Sequence, residues 1–239
     1  MPTIDLNADL GEGFAGVSPP DDSSLLELVT SANIACGYHA GDAVLMRRTV
    51  VEAARRGVVI GAHPGYPDTA GFGRRDMAAT PKEVTAYVIA QVGALDAFCR
   101  AAGTTLRYVK SHGALYNRAV RDAAIADAIA EAMRLVNPEL VMLGLPDSEL
   151  IAAADRAGIP SAREGFADRG YRADGTLVPR SEPGALITDP KAAADQAEHL
   201  AGRVDSICVH SDTPGAVRLV SAVRERLLAG GYSIGPFAH

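Results

Sequence analysis

Four of the six histidines in this 239-residue chain stand where a short β-branched run gives way to a polar turn, with carboxylates beside them. Read in order, the ends of these runs carry Asp5, Asn7, Asp9 and Glu12, then Asn33 and His39, then His63. Further on come Lys110, Ser111 and His112, the apolar Leu145-Pro146, Glu164, and finally His210, Ser211 and Asp212. The other two histidines, His199 and His239, lie in a helical stretch and at the chain's end. Histidines and carboxylates converging on one mouth can ligate a divalent metal or act as general acid and base. Asp9, His39 and His63 could supply three metal ligands and leave a position for water, although no HExxH spacing singles them out. The residues alone leave both chemistries open.

Alternation sharpens the first run, because Asp5, Asn7 and Asp9 share one face and Ile4, Leu6 and Ala8 the other. Three polar side chains buried in a row are costly unless they pair or serve a site, so a functional lumen is expected. Lys110 and His112 are likewise two apart, which sets a cation beside a base or lets Lys110 neutralise the acids of the first run. Two segments read as binding loops. One, from Gly61 to Arg75, is rich in glycine and ends in Arg74 and Arg75, suited to close backbone approach to an anion. The other, from Glu164 to Gly184, is too long for a plain connection and offers Asp168, Arg169 and Arg180. Asp42 reads as a helix cap as readily as a site residue.

The elements that must position these residues alternate short β-branched runs with longer helical segments, the pattern of successive βα units on a parallel sheet. Seven strands are expected: Thr3 to Asp9, Ser31 to Cys36, Val58 to His63, Arg107 to His112, Leu140 to Leu145, Pro160 to Glu164 and Ser206 to His210. Helix ends are signalled by the Thr80-Pro81-Lys82-Glu83 capping box with Gly103, by Asp189-Pro190 and Thr213-Pro214, and by Asp42 with Gly57 and Asp147 with Gly158. Polar residues recur at nearly every strand's carboxyl end, which favours a closed (β/α)7 barrel over an open doubly wound sheet with one switch point. No linker divides residues 1–239, so one domain is expected. Neither GxGxxG nor GxxxxGK[ST] occurs, and no Rossmann or P-loop nucleotide site is signalled.

Bulk properties narrow the class of function. A formal charge of -6 and a pI near 5.5 give no basic stripe for nucleic acid or an anionic membrane. The acidic start MPTIDLNADLGEG is unlike a signal peptide, and no apolar run is long enough to span a bilayer, so a cytoplasmic location is expected. Cys36, Cys99 and Cys208 are odd in number without CxxC spacing, and read as buried small hydrophobes.

Assembled, these segments resemble the LamB/YcsF family, the A subunits of bacterial 5-oxoprolinase. The matching stretches are DLNADLGEGF at 5–14, SANIACGYHAGD at 31–42, GAHPGYPD at 61–68 with GFGRR at 71–75, VKSHGALYN at 109–117, EGFADRGY at 164–171 with LVPR at 177–180, and ICVHSDTPGA at 207–216. Ser111 and Ser211 depart from the family's usual proline and glycine. The resemblance implies a barrel related to glycoside hydrolase/deacetylase folds and an ATP-driven opening of 5-oxo-L-proline to L-glutamate, with Mg-ATP as co-substrate and two partner subunits, B and C. Under it, Asp9, His39, Lys110 and His112 are the expected catalytic residues. Asn7, Glu12, Asn33, His63, Arg74, Asn117, Glu164, Asp168, Arg169, His210 and Asp212 are expected to contact substrate. A homo-oligomer is compatible with it. The rival readings are a metal-dependent deacetylase or carbohydrate hydrolase, and a non-catalytic subunit that holds a carboxylate.

Overall fold

Strands buried on both faces must be covered on both, and here seven of them do this by closing on one another inside a ring of helices. The computed structural model describes residues 1–15, 19 and 21–238; His239 lies outside them. In chain order the first half comprises β1 (Thr3–Leu10), α1 (Asp22–Leu25), β2 (Ser31–Ala35), α2 (Ala43–Arg56), β3 (Val59–His63), α3 (Pro81–Ala101), β4 (Leu106–Val109) and α4 (Gly113–Ala119). The second comprises α5 (Ala123–Val136), β5 (Val141–Gly144), α6 (Glu149–Ala157), β6 (Ser161–Phe166), α7 (Pro190–Ala201), β7 (Ser206–Cys208), α8 (Ala216–Ala229) and β8 (Ser233–Ile234).

Neighbouring strands pair in parallel from β1 to β7, and β1 closes the ring by pairing with β7 as well as β2, in the register Asp5↔Ser206 and Asn7↔Ser31. The expected (β/α)7 barrel is therefore the observed one. All seven expected strands are present, with ends that differ by a few residues at most. The fourth ends earlier than expected, at Val109, because the next residues turn along the mouth, where the His112 amide donates to the Pro64 carbonyl at 2.8 Å. An eighth strand, β8, was not anticipated. It pairs only through Thr3↔Ser233 and Ile4↔Ile234, and two residues carry no readable alternation.

Most expected caps are present. Thr80 and Glu83 form a full capping box on α3, Asp42 accepts from the Val44 and Leu45 amides, Asp189 caps α7, and Gly57 and Gly158 end α2 and α6 in the left-handed region. Two are corrected. Ser148, not Asp147, precedes α6, and the hydroxyl of Thr213 does not cap α8, which starts after Gly215.

The face of β1 bearing Ile4, Leu6, Ala8 and Leu10 joins the main core between strands and helices. Its other face looks into the lumen. There Gly61 on β3 makes room for Tyr108, since a Cβ on Gly61 would lie 2.1 Å from the Tyr108 ring. Phe237, just beyond β8, meets the same ring edge-on at 5.0 Å and closes the amino end of the barrel with Val59, Val141, Leu143 and Ala162. The polar clusters lie towards the other, carboxyl end. Among the described residues, no helix is long and apolar enough to cross a membrane.

Candidate active site at the carboxyl mouth

A ladder of polar side chains climbs the lumen from floor to mouth. At its foot Asp5 accepts from Thr30 (2.6 Å), Ser31 (2.7 Å) and Ser206. Burial nevertheless pushes its carboxyl up to about 6. One layer higher, Asn7 donates to Ser206 (2.7 Å), Asn33 donates to Asn7 (2.7 Å) and Asp9 (2.8 Å), and the Tyr108 hydroxyl donates to Asn33 (2.7 Å). Each inward polar group expected on β1 is thus paired, which is what permits its burial.

Lys110 joins the ladder to the mouth. Its ammonium lies 3.1 Å from Asp9, 3.4 Å from Glu164 and 3.0 Å from the Cys208 sulfur, and 5.1 Å above the Phe166 ring. Burial opposes its charge, but Asp9 above all, with Cys208 and Glu164, holds its pKa well above that of a free lysine. Burial likewise opposes charge on Asp9, and His63 and Lys110 together hold that carboxyl well below the usual range. Asp9 and Lys110 therefore face the mouth as an ionised pair. Glu164 differs: burial raises its pKa, and neither oxygen has a hydrogen-bond partner among the described residues.

On the β7 side, Asp168 receives the His210 amide (3.1 Å), His210 Nδ1 (3.0 Å) and the Thr213 hydroxyl (2.5 Å). Despite burial, His210 foremost among these partners keeps Asp168 acidic. The ring of His210 stacks on Phe166 at 5.2 Å, and its Nε2, 4.0 Å from Asp9, borders the cavity. A carboxylate on Nδ1 leaves Nε2 as the nitrogen that can exchange a proton with a ligand.

On the β3 side, Glu12, His39, His63 and His112 form a buried group whose potential ligating atoms lie within 4.8 Å of one another. His63 Nδ1 donates to the Lys110 carbonyl at 2.7 Å and His112 Nε2 to the Phe72 carbonyl at 2.8 Å. Burial holds His39 and His112 below the ordinary histidine pKa, whereas Asp9 overcomes burial to raise His63. Of the metal trio expected from sequence, His39 and His63 fall in this group, and Asp9 Oδ1 lies 3.4 Å from His63 Nε2. Asp9 bonds to Lys110 and Asn33, and it shares a separate potential ligand group with Cys208 and His210.

Between these clusters opens a cavity of about 360 Å³. Of the expected site residues, Asp9, His63, Arg74, Lys110, His112, Asn117, Arg169 and His210 line it. Asn7, Glu12, Asn33, His39, Glu164 and Asp168 lie behind that layer, and His39 is wholly buried. At the rim, Asp212 pairs with Arg74 (2.5 Å) and Arg180 (3.3 Å), tying together the loops after β3, β6 and β7. Both long loops border the cavity as expected. Phe166, Leu177 and Pro179 add an apolar wall that the search for polar strand ends passed over, although EGF at the end of β6 carried the signal. Ser111 and Ser211 leave their histidine neighbours anchored, His112 on Pro64 and Phe72, His210 on Asp168.

A closed seven-stranded parallel barrel with its polar cluster and cavity at the carboxyl mouth has the architecture of a barrel enzyme. Comparison with known proteins narrows this: the LamB/YcsF family model matches residues 4–239, and the chain belongs to that family. It is 53% identical to the A subunit of 5-oxoprolinase from Streptomyces avermitilis, over 98% of this chain and 100% of that protein. The crystal structure of the lactam utilization protein from Thermus thermophilus, 41% identical, superposes with a TM-score of 0.91, covering 98% of this chain and 99% of that one. The T48 deacetylase, solved with substrate, shares the fold alone, at a TM-score of 0.51 and 14% identity over 98% of this chain and 86% of that one.

Proposed function

We propose that this chain is the A subunit of an ATP-dependent 5-oxoprolinase, opening the lactam of 5-oxo-L-proline to L-glutamate with two partner subunits, B and C. The observation that carries the reading is the cavity: one ionised carboxylate, Asp9, set among Lys110, Arg74, Arg169, Arg180 and His210, beside an apolar wall. A small anion with an apolar ring matches those walls. The relative from Streptomyces avermitilis, named for this activity, supports the same substrate class.

In this reading the substrate carboxylate exchanges with Asp212 on Arg74 and Arg180, and Asn117 and Arg169 border the bound ring. Phosphorylation of the lactam oxygen by Mg-ATP, supplied through the complex, makes the ring carbon electrophilic. Asp9 orients the attacking water, and Lys110 stabilises negative charge gathering on the ring oxygen or its phosphate. As the carbon–nitrogen bond breaks, His210 Nε2, held by Asp168, passes the proton of the attacking water to the ring nitrogen, and the acyl phosphate left behind is hydrolysed by a second water to L-glutamate and inorganic phosphate. His39, expected beside Asp9 as base, acts from behind the cavity wall, and the N–H of His112 is already taken by Phe72. An ATP-consuming complex belongs in the cytoplasm, and three buried free thiols agree with a reducing compartment.

The test is glutamate release from 5-oxoproline with the purified chain, its two partner subunits and Mg-ATP, each omitted in turn. Release only with all components is expected. Amide or acetyl hydrolysis by the isolated chain without ATP would overturn the reading.

A further inference from the structure

We infer that Glu12, His39, His63 and His112 form a binding site for one divalent transition-metal ion in the wall of the cavity. Their facing atoms are set closely: His39 Nε2 lies 3.0 Å from Glu12 Oε1, His112 Nδ1 3.3 Å from that oxygen and 3.0 Å from His63 Nε2, and His63 Nε2 3.9 Å from the same oxygen. Four ligands about 2.0–2.1 Å from a tetrahedral ion stand ~3.4 Å apart, so these separations span what one ion needs.

Tautomers give the second argument. The outer nitrogens of His63 and His112 spend their hydrogens on the Lys110 and Phe72 carbonyls. Where both rings are neutral, the nitrogens that face each other at 3.0 Å both carry lone pairs, a contact relieved by a metal ion or by a proton on His63 Nε2, which lies 3.4 Å from Asp9. An outer N–H fixed on a backbone carbonyl is also how protein groups orient metal-bound imidazoles. His39 differs in that its outer Nδ1 has no partner among the described residues.

The surrounding backbone is shaped to seal this group. A Cβ at Gly73, whose φ is +64°, would lie 2.7 Å from His39 Cβ and 2.8 Å from His112 Cδ2, and one at Gly65 would lie 2.9 Å from His39 Nδ1. Glycines at both positions let the loop close over the rings. His63 and His112 also line the cavity, so the ion would sit in its wall. Three imidazoles and one carboxylate without a thiolate suit zinc, manganese, iron(II), cobalt or nickel rather than calcium or copper(I).

The inference does not depend on the lactam reading, because binding is measured on the isolated, untagged chain. After chelator treatment, the chain should take up one equivalent of Zn²⁺ by elemental analysis and melt at a higher temperature. The Co²⁺-loaded chain should show visible d–d absorption. Glu12→Gln and His39→Asn should each weaken Zn²⁺ binding by 10-fold or more, while His199→Ala on α7 leaves it unchanged. Two conservative variants guard against one failing to fold, with circular dichroism confirming structure. A folded parent that retains none of Zn²⁺, Mn²⁺ or Co²⁺, or folded Glu12 and His39 variants that bind like the parent, would overturn the site.

Discussion

At the scale of single residues, Lys110 joins catalysis to stability, because its ammonium is both the partner of buried Asp9 and a wall of the cavity. Lys110→Met should leave the Asp9 carboxylate without its ammonium and cost about 3–5 kcal/mol in denaturant melts. The folded fraction should also turn over at least about 10²-fold more slowly in the complete complex. Normal turnover per folded molecule would reduce Lys110 to a structural counterion. Asp5 makes a separate prediction, with a definite sign. Burial raises its pKa from 3.8 to about 6, so its proton is held more tightly in the folded state. The stability this contributes is complete below the unfolded value and is lost as pH climbs through about 6. A shift of two units is worth about 3 kcal/mol, so Asp5→Asn should gain roughly that much relative to the parent between pH 3 and pH 7, read from paired melts. A difference independent of pH would show that Asp5 ionises without penalty. The inward set Asp5, Asn7 and Asp9 was legible from alternation alone. The pairing of Glu12 with His39 was not, since both stand in loops where no period says which way a side chain faces.

Among the elements, β3 and β4 depend on a single missing side chain. Gly61→Ala should drive its Cβ into the Tyr108 ring and break the bond from Tyr108 to Asn33, with the cost of an overpacked core, about 1–3 kcal/mol or more. Tyr108→Leu in the same chain should recover part of that loss in melts. If Gly61→Ala alone melts like the parent, the close approach is not what fixes this register. The strands and most caps were legible because their signals are local: β-branched runs, capping boxes and glycines past helix ends. Thr213-Pro214 misled for the same reason. A hydroxyl before a proline looks alike whether it caps a helix or donates to a carboxylate 45 positions away, as Thr213 does to Asp168.

For the molecule as a whole, the barrel's two ends have separate duties, which a truncation can display. Ending the chain at Gly231 removes β8 and the partly buried Phe237 from the floor, and should cost stability, by less than a fully buried aromatic ring's about 3–5 kcal/mol. Activity per folded molecule in the complex should hold, because the cavity opens at the opposite end; a matching fall in both would tie floor to mouth. Barrel closure was legible from polar residues at nearly every strand end, but the plug was not, since a single phenylalanine after a two-residue strand has no pattern to betray it. The position of β1 also bears on the order in which the chain folds. Its pairs with β7 and β8, and the bond that Asp5 accepts from Ser206, each join positions 201 or more apart. The partners that β2 and the turn after β4 supply to the same strand, Ser31, Asn33 and Lys110, lie far nearer in sequence. Contacts of the longer separation close slowly, so the seam between β1 and β7 should form later than the pairing of β1 with β2.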